Sequence, residues 1–82
     1  MFTKKEILYR YVNDKMRYYK INLFVDLFGE YLLIKEYGNI KYKKPTRILQ
    51  EYYQTQEEAL DSFEKKLQEK ITKGYITLAK KN

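Results

Sequence analysis

The stretch Met16–Tyr42, MRYYKINLFVDLFGEYLLIKEYGNIKY, decides how this chain reads, because it is the longest run in which apolar and polar residues alternate with period two. It predicts a β-hairpin that ends in Tyr37-Gly38-Asn39. In the first arm Tyr19, Ile21, Leu23 and Val25 share one face while Tyr18, Lys20, Asn22 and Asp26 share the other, and only Phe24 breaks the alternation. The second arm, Tyr31 to Tyr37, sets Leu32 and Ile34 against Tyr31, Leu33, Lys35 and Tyr37. Both its faces are partly apolar, which predicts a strand covered on both sides. Between the arms, Asp26-Leu27-Phe28-Gly29-Glu30 holds a glycine suited to the left-handed position of a short hairpin loop.

Outward from the hairpin, Ile7–Val12 is β-prone and reads as a first strand, and Asn13-Asp14-Lys15 supplies turn chemistry before the second. On the other side, Asn39–Pro45 carries lysines and the only proline, as a loop or an exposed edge would. Thr46–Tyr53 fits a strand, although Ile48, Leu49, Tyr52 and Tyr53 also match a helical period. Thr55-Gln56-Glu57-Glu58 is a capping box, and a helix is predicted from about 56 to 73. Ala59, Leu60, Phe63, Leu67 and Ile71 recur on one of its faces, with acids in the first turns, lysines in the last and Gly74 at its C-terminal stop. The pairs Asp61/Lys65 and Glu69/Lys73 suit its outer face. Tyr75–Leu78 reads as a short closing strand and residues 79–82 as a basic tail. The fold class is therefore α+β, an antiparallel sheet with one helix in the second half packed on it.

Eighty-two residues make a single domain with one core, and ten Tyr and four Phe help so short a chain to fill it. There is no cysteine and no histidine, which excludes disulfides, thiolate metal sites and histidine general bases. The only serine, Ser62, lies in the predicted helix without a base, and the acids Glu57, Glu58, Asp61 and Glu64 are explained by the helix N-terminus. The glycines are scattered at turns and caps rather than grouped for phosphate. These readings predict a protein that is not an enzyme and needs no cofactor. No stretch is apolar enough to span a bilayer or to act as a leader, so the expectation is a soluble, cytoplasmic protein without a membrane partner.

Seventeen Lys and Arg against eleven Asp and Glu leave a net charge of +6, which favours polyanions but equally describes a merely soluble, lysine-rich protein. The candidate site is the basic, aromatic stretch with Lys35, Tyr37, Gly38, Asn39, Lys41, Tyr42, Lys43, Lys44 and Arg47. Its cations suit phosphates, and the faces of Tyr37 or Tyr42 suit a base or sugar. The plainer reading is a solvated sheet edge guarded by lysines, with tyrosines filling the core.

A resemblance bears on that choice. Tyr18-Tyr19-Lys20-Ile21, then Tyr31–Ile40, Glu57–Glu64 and Lys70–Tyr75 follow the order and spacing of the WGR domain, the small module of poly(ADP-ribose) polymerases and of several bacterial proteins. The chain resembles it from about Ile7 to Leu78. The likeness implies a strand for Thr46–Tyr53. It also implies DNA binding near a break, where the signature Trp packs on the terminal nucleotide and the signature Arg contacts a neighbouring domain. Here Tyr37 stands at the Trp position and Asn39 at the Arg position. Tyr37 suits the stacking role and Gly38 a close backbone approach. Asn39 lacks the charge and the donor fork of guanidinium, and Lys41 stands where a second glycine is usual. The expected partner is nucleic acid, at DNA ends or single strands, with a partner protein docked on the same aromatic surface as the alternative.

Overall fold

The alternating stretch folds as two long strands, β2 (Lys15–Val25) and β3 (Tyr31–Asn39), paired antiparallel from Arg17↔Asn39 to Val25↔Tyr31. The computed structural model describes residues 3–77. Before them runs β1 (Thr3–Val12), longer than the predicted first strand, and after them β4 (Arg47–Tyr53), so the segment that fitted either period is a strand. The helix α1 (Gln56–Thr72) and the short β5 (Ile76–Thr77) complete the order. The sheet runs β4-β3-β2-β1-β5 with every neighbouring pair antiparallel. Leu78 and the tail lie outside the described residues.

Turn chemistry fixes the registers. Asn13 and Asp14 both take positive φ, 50° and 64°, as a two-residue hairpin of primed type requires, and Asn and Asp tolerate that region best after glycine. In the β2–β3 loop one oxygen of Asp26 accepts the backbone N–H groups of Phe28 and Glu30, each at 2.9 Å, while Gly29 takes the left-handed position at φ 83°. That turn leaves Leu27 and Phe28 almost wholly exposed.

The core is one face of the sheet, Leu8, Tyr19, Ile21, Leu23 and Leu33, closed by Ala59 and Phe63 of α1. Phe63 is fully buried, and burial of such a side chain contributes about 1.5–3 kcal/mol. α1 begins with half of the capping box: Thr55 Oγ1 accepts the Glu58 N–H at 3.1 Å, and the Glu58 carboxylate does not return a bond to the Thr55 N–H. It ends in a Schellman motif: the Tyr75 N–H donates to the Lys70 carbonyl and the Gly74 N–H to that of Ile71, with Gly74 at φ 102°. Of the two outer-face pairs, Asp61 and Lys65 meet at 3.6 Å, and Glu69 and Lys73 do not come within ion-pair distance.

Two expectations need correction. Ile71 does not complete the buried stripe and is 43% exposed, because a stripe through Ala59 and Phe63 at 3.6 residues per turn reaches the sheet next at Lys70. Nor is β3 covered on both sides. α1 lies on one face only, and on the other Leu32 and Ile34 are half-buried by cross-strand neighbours such as Phe24, which faces Leu32. Polar contacts cross that open face too: Tyr18 donates to Glu36 at 3.0 Å and Lys20 approaches Glu36 at 3.8 Å.

Candidate functional site

Tyr37, Gly38 and Asn39 form the last residues of β3, at the sheet end opposite the Leu27/Phe28 turn. Strand register sets Tyr37 between Tyr19 and Arg47 on the helix-covered face, and Asn39 beside Arg17, which in turn faces Arg10. Gly38 is on the other face under the returning chain. A Cβ there would stand 2.9 Å from the Thr46 backbone nitrogen, whose N–H donates to the Tyr37 carbonyl at 2.8 Å. The glycine thus permits β3 to pack against the start of β4.

Asn39 is 8% exposed. Its Oδ1 accepts the Lys41 N–H at 2.9 Å and its carbonyl accepts the Tyr42 N–H at 3.0 Å, so its amide builds the loop that follows. That loop carries exposed Ile40, Lys41, Tyr42, Lys43 and Lys44 and leads into exposed Arg47. Lys35 lies one step inward, buried beneath α1 and held at 2.9 Å by Glu51. Eight of the nine residues singled out from the sequence therefore gather at one end of the sheet, and Lys35 stands apart from them.

Around this end lie groups that the sequence reading missed. The Lys70 ammonium sits 4.7 Å from the Tyr19 ring centre, 5.7 Å from that of Tyr75 and 5.9 Å from that of Tyr37. Tyr19 and Tyr75 meet edge to face at 6.4 Å, and the Arg10 guanidinium caps Tyr75 at 5.9 Å. Among the described residues Lys70 has no carboxylate within ion-pair distance. Its pKa is lowered by burial first, then by the charges of Lys73, Lys66 and Lys35, with Glu69 opposing. The Tyr19 hydroxyl is pushed up to about 12, chiefly by burial and then by Glu69 and Glu51. The signal was present in the sequence, since Lys70 follows Ala59, Phe63 and Lys66 at helical spacing.

A partly desolvated cation beside π-faces and further cations can receive an anion, which would relieve the repulsion. No group of three or more potential ligands is placed to hold a metal among the described residues. A shallow concavity along the outer face of α1, lined by Glu64, Lys65, Gln68, Glu69, Thr72 and Lys73, is built from one helix alone and does not include Tyr37. Among the described residues no helix is long and apolar enough to cross a membrane.

Comparison with protein families matches residues 6–82 to the WGR domain. This chain belongs to the WGR family. No curated protein and no solved structure matches it. At the signature position of this WGR chain stand Tyr37, half-buried beside Lys70, Gly38, which permits close packing, and Asn39, whose amide builds the loop. The fold is the antiparallel α+β arrangement expected from the alternating stretch and the capped helix.

Proposed function

We propose that this WGR protein is a non-catalytic nucleic-acid-binding module that grips DNA ends or single strands at the Tyr37 end of its sheet. Lys70, half-buried and with no carboxylate partner among the described residues, carries this reading: over Tyr19, Tyr37 and Tyr75 it offers a position for a phosphate oxygen. Lys41, Lys43, Lys44 and Arg47 supply further phosphate contacts beside it, and Tyr42, 62% exposed, offers a free ring face to a base. Tyr37, packed against the core, holds Lys70 and presents its accessible part to the sugar. Lys35, committed to Glu51, is left out of the contact set.

Catalysis is not part of the proposal. The chain has no histidine, and Ser62 Oγ lies 2.8 Å from the Tyr53 hydroxyl in a structural hydrogen bond.

The test is a fluorescence anisotropy titration with blunt, nicked and single-stranded oligonucleotides at two salt concentrations. Phosphate binding loses affinity log-linearly with salt. A second reading, a protein-interaction module, is favoured by the exposed Ile40 and Tyr42 in the same loop and predicts no oligonucleotide binding at either salt concentration.

A further inference from the structure

The β4 side of the sheet is a free edge seven residues long. β5 pairs with Leu8 and Tyr9 of β1, whereas β4 has β3 on one side and, among the described residues, no strand on the other along all of Arg47–Tyr53. Its ladder with β3 is uninterrupted from Tyr37↔Arg47 to Tyr31↔Tyr53, so no bulge bends it away. Natural edges are usually guarded by lysine, proline, a bulge or inward-pointing charge; β4 has no lysine, proline or bulge, and its inward-facing Glu51 is neutralised by Lys35 at 2.9 Å. Ile48 and Tyr52 instead stand 51% and 60% exposed on the open face, where α1 does not lie.

These residues are placed symmetrically about Gln50. We propose that β4 is a self-association edge, pairing antiparallel with β4 of a second copy across a two-fold axis at Gln50. That register pairs all seven residues. It sets Ile48 against Tyr52 of the second copy and Tyr52 against its Ile48, so each exposed apolar side chain gains an apolar partner. Arg47 meets Tyr53 and Leu49 meets Glu51, so neither charged residue of the strand faces its own kind. An axis at Glu51 would oppose two carboxylates, and one at Ile48 would leave Tyr52 beyond the paired strand. The occupant is a second copy because the edge matches itself: Ile48 lies against Tyr52 of the second copy, and Arg47 stands diagonal to its Glu51, so unlike charges are neighbours. The two sheets then join as one, with both helices on the same face. This edge shares only Arg47, its first residue, with the proposed phosphate contacts and stands whether or not nucleic acid binds there.

The absence of cysteine from the chain provides the test. In the Gln50→Cys variant the two Cβ atoms face each other across the axis at about 4.5–5.5 Å, close enough for a disulfide after a small shift. Under mild oxidation it is expected to cross-link at least about tenfold faster than Leu27→Cys, whose site is 92% exposed and away from the axis. Sedimentation of the unmodified protein is expected to move from 10.1 kDa toward twice that mass as concentration rises, and Ile48→Lys or Tyr52→Lys to restore the monomer without loss of far-UV signal. A monomer at every concentration overturns the proposal. So does a dimer that survives both lysine variants, or one in which Cys at position 50 cross-links no faster than at position 27.

Discussion

Lys35 Nζ lies 2.9 Å from Glu51 Oε2 beneath the helix, and Glu51 Oε1 accepts the Tyr53 hydroxyl at 2.7 Å. The chain continues to Ser62, so a lysine that looked like a phosphate ligand joins β3, β4 and α1 instead. The Lys35 bond, then that of Tyr53, lowers the Glu51 pKa below its ordinary 4.5. A carboxylate so lowered contributes stability that is present above 4.5 and is lost as pH falls through the folded-state value.

Lys35→Met is therefore expected to cost about 1–2 kcal/mol in urea unfolding at neutral pH, less than a fully buried pair because Glu51 is 41% exposed. The gap from wild type should narrow as pH falls below 4.5. Oligonucleotide affinity, measured where the variant is folded, should not change. A specific loss of affinity would return Lys35 to the contact set.

Gly38→Ala tests the packing of the signature glycine. The added Cβ meets backbone, the Thr46 nitrogen at 2.9 Å and the Pro45 Cα at 3.3 Å, so relief requires moving the chain and not a side-chain tip. Overpacking of this kind typically costs about 1–3 kcal/mol. Because the displaced segment is the basic loop, binding should weaken as well; a variant with wild-type melting and wild-type binding would show that the loop yields freely.

How much of this the sequence makes legible follows from which forces act locally. The hairpin, the Asn13-Asp14 turn and the Thr55 cap were readable because alternation, left-handed turn residues and capping act between near neighbours in sequence. β4 was ambiguous because its apolar residues fit both periods, and pairing with β3 across a long loop decides the matter. The fate of each site lysine was not readable. Lys35 and Lys41 look alike in sequence, but register sends one under the helix to Glu51 and leaves the other in solvent. Lys70 was hidden for a related reason: Ile71, the apolar choice beside it, drew the stripe one residue too far.

Asn39→Arg restores the residue usual at that signature position, and the structure makes the outcome unfavourable for folding. The Asn39 amide holds the Lys41 N–H in a nearly buried turn, and guanidinium can neither accept that bond nor remain at 8% exposure. Loss of about 1–2 kcal/mol of stability is expected, from an unpaired N–H and a remodelled loop. Where the variant is folded, a gain for broken over intact duplex would show that the new cation still reaches a terminal phosphate. Equal gains on both would be those of any added positive charge.

The last prediction separates Lys70 from the tyrosines around it. Burial and neighbouring cations depress its pKa, so below that value the charged form carries a cost in the folded state, relieved as pH rises from there toward the ordinary 10.5. Lys70→Met keeps the stem and removes the charge, and its melting temperature at neutral pH is expected to equal or exceed that of wild type, an advantage that shrinks through that alkaline window. Its affinity for duplex ends should fall, and the slope of log affinity against log salt should flatten by about 0.9, one phosphate contact. Tyr42→Ala should lose about 1–3 kcal/mol of affinity at unchanged stability, since its ring is mostly in solvent. Tyr37→Ala should lose affinity and stability together, because that ring packs on the core and beneath the ammonium. Tyr37→Trp should recover both by offering a larger face. If Lys70→Met instead melts lower and binds oligonucleotides with an unchanged salt slope, the ammonium is held only for its contacts with the three rings, and the phosphate position assigned to it falls.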